Sequence, residues 1–385
     1  MKKMLLKDLF SIRKGKKVEP VEAPSDDTVR YIQIEDLRDN SNPKFCLPKE
    51  SYIFANKNHI IIAWDGANAG TVSYGLEGAI GSTLAILETR EKNVFIPYVG
   101  KFLQSKNQYL RDTCTGATIP HISRKALENI VIPLPSVERQ KYISNTLDKA
   151  KSLIVKRKAQ IEALDQLTLS VFLEIFGDPV TNTKSYPIQP LREFGTVITG
   201  NTPSRKKPEY YGDHIEWIKS DNINTPSHFL TRAEEYLSEL GKIKGRVVPA
   251  NSILVTCIAG SQSSIGNAAI ADRSVAFNQQ INAIVPNKNI NVYFLYTQFL
   301  VGKRLVQQAS TNSMKGLVSK SAFEQIYFIN PPYRLQVKFG EIFEQVEEQK
   351  RNLLKSLTHL EENYNSIMQR AFKGELFTEE KVSNL

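Results

Sequence analysis

Apolar residues return every three or four positions along two long stretches of the chain. In the first they fall at Ile143, Leu147, Ala150, Ile154, Ile161, Leu164, Val171 and Ile175, with Arg157 and Thr168 completing the series. The second runs Phe339, Phe343, Val346, Lys350, Leu353, Leu357, Leu360, Tyr364, Ile367 and Ala371, each 196 residues after its counterpart. Sustained alternation of this kind predicts helices that bury a narrow seam against a partner helix. Gly177-Asp178-Pro179 is a suitable stop for the first and Gly374 for the second.

One helix leads out of a first globular part and the other follows a second, so the expected pairing is antiparallel. Reversing one stripe on the other puts Leu147 near Ile367, Ile154 near Leu360 and Ile175 near Phe339. The expected helix-pair core is Ile143, Leu147, Ile154, Ile161, Leu164 and Val171 against Phe339, Phe343, Leu353, Leu357, Leu360 and Ile367. Arg157 would face Leu357, and Lys350 would face Leu164; these breaks either snorkel or set the register. Residues 143–175 would span roughly 50 Å at about 1.5 Å per residue.

Outside the helices the pattern changes to short β-type runs between Gly, Asn and Ser. Examples are Ile60–Trp64, Thr83–Leu87, Ile253–Thr256 and Ile281–Val285. Short helices are expected at 97–110, 123–129, 291–308 and 319–325. The repeat extends through these parts: Ser123, Ala126, Glu128, Ile130, Pro135 and Gln140 recur as Ser319, Ala322, Glu324, Ile326, Pro331 and Gln336. Upstream the offset falls to 186 (Tyr31 to Trp217) and 185 (Gly15 to Gly200), so the second copy carries about ten inserted residues. The predicted fold is mixed α/β (α+β), with two tandem β-rich domains separated by two long antiparallel coiled-coil helices in a pseudo-two-fold repeat. The parts are domain one (1–134), a central helix (135–177), domain two (182–330), a C-terminal helix (331–376) and a polar tail (377–385).

At 385 residues each half is large enough to bury its own core. The net charge of +10 favours a polyanionic partner such as nucleic acid. Cys46, Cys114 and Cys257 are scattered and odd in number, which suits a reducing compartment and argues against a disulfide framework. The five histidines show no ligand spacing, so no metal site is expected. No stretch approaches the roughly 20 apolar residues of a membrane span, and a soluble cytoplasmic protein is expected.

Basic loops stand at matching places: Arg13, Lys14, Lys16 and Lys17 around Gly15, and Arg205, Lys206 and Lys207 after Gly200. Cations on flexible stems beside a closely approaching backbone suit phosphate contacts. Gln279, Gln280, Asn278, Asn68 and Ser261–Ser264 have side chains able to read base edges, although turns use the same residues. Asn330-Pro331-Pro332-Tyr333 after an apolar run matches the way amino-methyltransferases hold a flipped adenine. The corresponding Leu134-Pro135-Ser136-Val137 could not do that chemistry, and prolines before a helix have an ordinary structural role. Phosphate-loop, nucleophile-elbow and metal-cluster signatures are missing, so no catalytic residue is assigned. A coiled-coil adaptor that binds only proteins is the alternative of a different class.

The whole layout resembles the specificity subunit of type I restriction–modification systems. The telling pieces are Phe176-Gly177-Asp178-Pro179, Gly200-Asn201-Thr202-Pro203-Ser204, Tyr211-Gly212 before Ile215-Glu216-Trp217-Ile218, and Ala371-Phe372-Lys373-Gly374-Glu375-Leu376. The resemblance implies a non-catalytic reader of double-stranded DNA whose two target-recognition domains read an asymmetric bipartite site. It further implies docking of two modification (methyltransferase) subunits and of restriction subunits. Those partners, not this chain, would bind S-adenosylmethionine, Mg2+ and ATP. The recognition component of another bipartite methyltransferase–nuclease system would share this architecture.

Overall fold

A computed structural model describes residues 2–116, 118–311 and 316–376; the expected polar tail lies outside them. The two seam sequences form the helices Val137–Phe176 and Tyr333–Lys373. The chain divides into two compact units, Met1–Lys158 with Lys355–Leu385, and Ala159–Leu354. The sequence had set the helices apart as spacers, but the division cuts through both of them. Their ends bury large apolar side chains inside the globular cores, and burying such a side chain is worth about 1.5–3 kcal/mol.

In the first unit Ile143 and Leu147 share one apolar cluster with Ala371, and Ile367 packs against it. Further along, Lys158 pairs with Glu361 at 2.9 Å. In the second unit Phe172 and Phe176 of the first long helix meet Phe339 of the second, with ring centroids 5.4 and 5.7 Å apart. Ile175 packs against the same cluster. The order of partners is reversed along the chain in each unit, so the helices run antiparallel in both.

Ile143, Leu147, Phe339 and Phe343 are fully buried, whereas Ile154, Ile161, Leu164, Val171, Leu353, Leu357, Leu360 and Ile367 are half-buried. A seam with only one partner helix shields only one side of each residue. Lys350 is buried, and its ammonium bonds Asp165, the neighbour of Leu164, at 2.5 Å.

Each unit repeats the same strand plan. In the first, Ser11–Lys14, Leu84–Glu88, Ile60–Ala63 and Val72–Tyr74 lie side by side in an antiparallel sheet. In the second, Gly195–Thr199, Ile281–Pro286, Ile253–Thr256 and Ala268–Ile270 take the same order. A second sheet holds one parallel pair in each: Val29–Ile32 with Gly78–Ile80, and Ile215–Ile218 with Val275–Phe277. The strand that opens each unit pairs with the one just before a long helix: Lys2–Leu5 with Val131–Leu134, and Ile188–Pro190 with Tyr327–Ile329.

Most of the inserted length lies in loops. Residues 219–235 fill a connection made by 33–43 in the first unit, and 257–267 fill one made by 64–71. The expected helices 97–110 and 291–308 each break in two, at Lys106 and at the corresponding Gly302.

The repeated polar residues are structural. Gln140 is buried at the start of the first long helix; it accepts the Phe95 N–H and donates to the Asn93 and Pro135 carbonyls. Gln336 does the same work on the Asn291 N–H, the Pro331 carbonyl and the Asn330 side chain. Ser123 and Ser319 cap short helices by accepting the N–H of Ala126 and of Ala322.

Candidate nucleic-acid interface

Four loops meet in each unit. In the first unit they are the basic turn 14–18, the turn 64–70, the turn 81–83 and residues 115–116 with 118–121. Trp64 and Asp65 both donate N–H bonds to the Thr83 carbonyl, Ile122 donates to Trp64, and Thr115 and His121 bond each other. The second unit reproduces this: Cys257 and Ile258 donate to Gln280, Val318 to Cys257, and Thr311 to Leu317. Gly15 and Gly200 fix the basic loops against the third loop. A Cβ at Gly15 would collide with the Gly81 carbonyl, and one at Gly200 with the Asn278 carbonyl.

The basic residues singled out in the sequence sit on these loops or their flanking strands, several in ion pairs. Arg13 pairs with Glu88 at 3.4 Å, and Lys14 with Asp65 at 2.7 Å. Asp65 also receives His121 Nδ1 at 2.6 Å. Burial pushes the Asp65 carboxyl up, but its bonds to Lys14 and His121 outweigh this and hold it below the ordinary carboxylate range. Lys16 and Lys17 are exposed.

In the second unit Arg205 pairs with Glu235 at 2.7 Å and lies over the rings of Tyr211 and Trp217, at 4.3 and 5.0 Å. Lys219 reaches the other Glu235 oxygen at 2.9 Å; the bonds from Lys219 and Arg205 keep that carboxyl ionised. Lys206 is exposed, and Lys207 lies over Tyr210 at 5.5 Å. Gln279 is exposed and accepts the Thr202 hydroxyl, which joins the basic loop to the third loop. Gln280 differs from what its type suggested. Its side-chain oxygen takes the Asn278 amide and its carbonyl takes two N–H bonds, so it braces the loops from within.

The methyltransferase-like motif is also committed to the fold. The Asn330 amide donates to Gln189 at 2.8 Å and its oxygen accepts from Gln336 at 3.1 Å, so neither end is offered to a base. The Tyr333 ring is half exposed and begins the long helix. That corrects the catalytic alternative raised by Asn330-Pro331-Pro332-Tyr333.

Histidine spacing missed one grouping. Asp165, His228 and Glu347, from three distant segments, bring a donor atom each within 4.8 Å of one another. Lys350 already gives Asp165 its counter-charge, and Tyr296 hydroxyl meets His228 Nδ1 at 2.9 Å. The spacing of ionisable residues could not reveal this group, since the fold alone assembles it. Asp65 and His121 escaped for the same reason.

Among the described residues no helix is long and apolar enough to cross a membrane. The fold therefore presents two matched loop clusters that carry basic, amide and hydroxyl groups. Residues 1–163 and 186–361 match the model of the type I restriction modification DNA specificity domain. The chain belongs to that family and is the specificity subunit of a type I restriction–modification system, a DNA-recognition component with two tandem recognition domains. It is 27% identical over 310 residues to the MjaVIII specificity subunit of Methanocaldococcus jannaschii, covering 75% of this chain and 72% of that one. The EcoBI specificity subunit of Escherichia coli is 23% identical over 402 residues, covering 93% and 82%. The solved S subunit from M. genitalium shares the fold at a TM-score of 0.58 and 16% identity, over 96% of both chains. So does a chain from a study of complex assembly and conformational transition in the type I system. There the TM-score is 0.62 and the identity 15%, over 97% and 98% of the two chains.

Proposed function

We propose that each unit reads one half of an asymmetric, bipartite target in double-stranded DNA, and that the paired long helices set the unread gap between the halves. The observation that carries this reading is the doubled loop cluster: one backbone scaffold, present twice, with different loop lengths and side chains on it. Two modification (methyltransferase) subunits dock on the helices and restriction subunits join them, in the cytoplasm. Those subunits supply S-adenosylmethionine, Mg2+ and ATP chemistry, and this chain supplies the address. Phosphate contacts from Lys16, Lys17, Lys206 and Lys207 hold the duplex, while loop side chains choose the sequence.

Selection from a randomised duplex library by the assembled complex tests this. The expected product is two short conserved half-sites separated by a fixed gap; an uninterrupted site, or none, would refute the reading. Inserting seven residues into both helices, near Ala159 and near Leu354, lengthens each by about 10 Å. The gap should grow by about three base pairs with both half-sites kept, since base pairs are about 3.4 Å apart. An unaltered gap would remove the helices from that role.

A further inference from the structure

A bridge between the second and fourth loops occurs in both units, yet the side chains mounted on it are unrelated. Asp65 faces His121 across an antiparallel bridge, and Ile258 faces Leu317 across the corresponding one. On the neighbouring strand Lys14 lies opposite Ala85, as Thr199 lies opposite Asn282. One scaffold therefore carries Lys14, Asp65 and His121 in the first unit and Thr199, Ile258 and Leu317 in the second. These side chains are partly exposed at the loop cluster, and on matched backbone a charged group in one unit stands where the other has an aliphatic pair. Positions that read different bases would differ in this way.

We infer that this bridge is the base-reading position of each unit, with His121 and Lys14 making hydrogen-bonded contacts to a base edge and Leu317 making an apolar one. The inference rests on the half-site reading proposed above and names the residues that perform it. His121 is suited to the task because it is exposed at its tip and fixed at its base. Its side chain is 48% exposed, its backbone bonds Thr115 in both directions, and Asp65 fixes the ring through Nδ1. With Nδ1–H donating to Asp65, Nε2 is left to accept from the exocyclic amine of adenine or cytosine. Lys14, half exposed on the other Asp65 oxygen, offers donors for guanine O6 or N7. Leu317 is 39% exposed at the matching place, where an aliphatic side chain suits the thymine methyl group. Asp65 is a positioning residue that acts through His121.

Selection from the randomised duplex library, with the full chain in its complex, tests this position by position. His121→Leu should lower base discrimination about tenfold at one position of one half-site and leave the other half-site intact. His121→Gln, which keeps an acceptor, should retain part of the preference. Asp65→Asn should weaken the same position and no other, an effect that general loosening of the fold does not produce. Leu317→His should alter one position in the opposite half-site. Unchanged preferences in His121→Leu and Leu317→His, or a uniform loss of affinity across all sequences, would overturn the inference. Wild-type protein that selects no bipartite site would instead overturn the half-site reading itself.

Discussion

The two units share a backbone plan and differ in what fills it. The second unit is cemented by aromatic rings: Phe172, Phe176, Phe294, Phe339 and Phe343 form one buried group at the helix ends. At the places of Phe339 and Phe343 the first unit has Ile143 and Leu147, in a mainly aliphatic core. It also buries Lys101, whose ammonium bonds Tyr74 at 2.5 Å and Asp148 at 2.9 Å. The corresponding Thr297 only bonds its own helix, through the Tyr293 carbonyl. What both units keep are the groups that close loops and start helices, such as Gln140 and Gln336. The frame recurs in both units while the core filling and the loop side chains differ.

The largest effect should separate the two cores. Phe339→Ala removes a buried ring and should cost about 3–5 kcal/mol, whereas Ile143→Ala should fall lower in the range of about 2–5 kcal/mol. Urea unfolding with hydrogen exchange resolved by unit would show it; equal losses would break the contrast. Next come the shared amides. Gln140→Leu and Gln336→Leu each strand buried N–H and carbonyl groups and should cost about 1–3 kcal/mol, equally in the two units. A loss in one unit alone would show that the frames are not equivalent.

A smaller, pH-dependent effect belongs to the second unit. Burial holds the Glu347 carboxyl above its ordinary value of 4.5, so the native state binds that proton more tightly than the unfolded chain. Its contribution to stability is present below the ordinary value and is lost as pH rises above it. Asp165 runs the other way: bonds from His228 and Lys350 outweigh burial and depress it, so its contribution is lost as pH falls. Glu347→Gln should therefore raise the melting temperature at pH 7 and change little at pH 4. The exposed Lys151 at the matching place, changed to Gln, should do neither; a lower melting temperature for Glu347→Gln at pH 7 would reverse the assigned sign.

The long helices could be read from the sequence because a seven-residue period is a local signal, visible without knowing the partner. The repeat added the pairing, since equal registers at Leu147 and Phe343 imply equal roles. Strands such as Ile253–Thr256 were legible for the same local reason. The sites were legible only in part. Basic loops stand out by composition, but the Asp65–His121 bridge joins residues 56 apart and shows no period. Gln280 and Asn330 both brace loops, because a side chain able to read a base is equally able to hold a loop, and only the fold shows those bonds.

The proposed reading assigns each unit its own half-site. Exchanging residues 182–330 for the corresponding domain of another specificity subunit, then mapping the modified sites across a genome, tests it directly. One half-site should be replaced, with the other half-site and the gap retained. Replacement of both half-sites, or of neither, would contradict it.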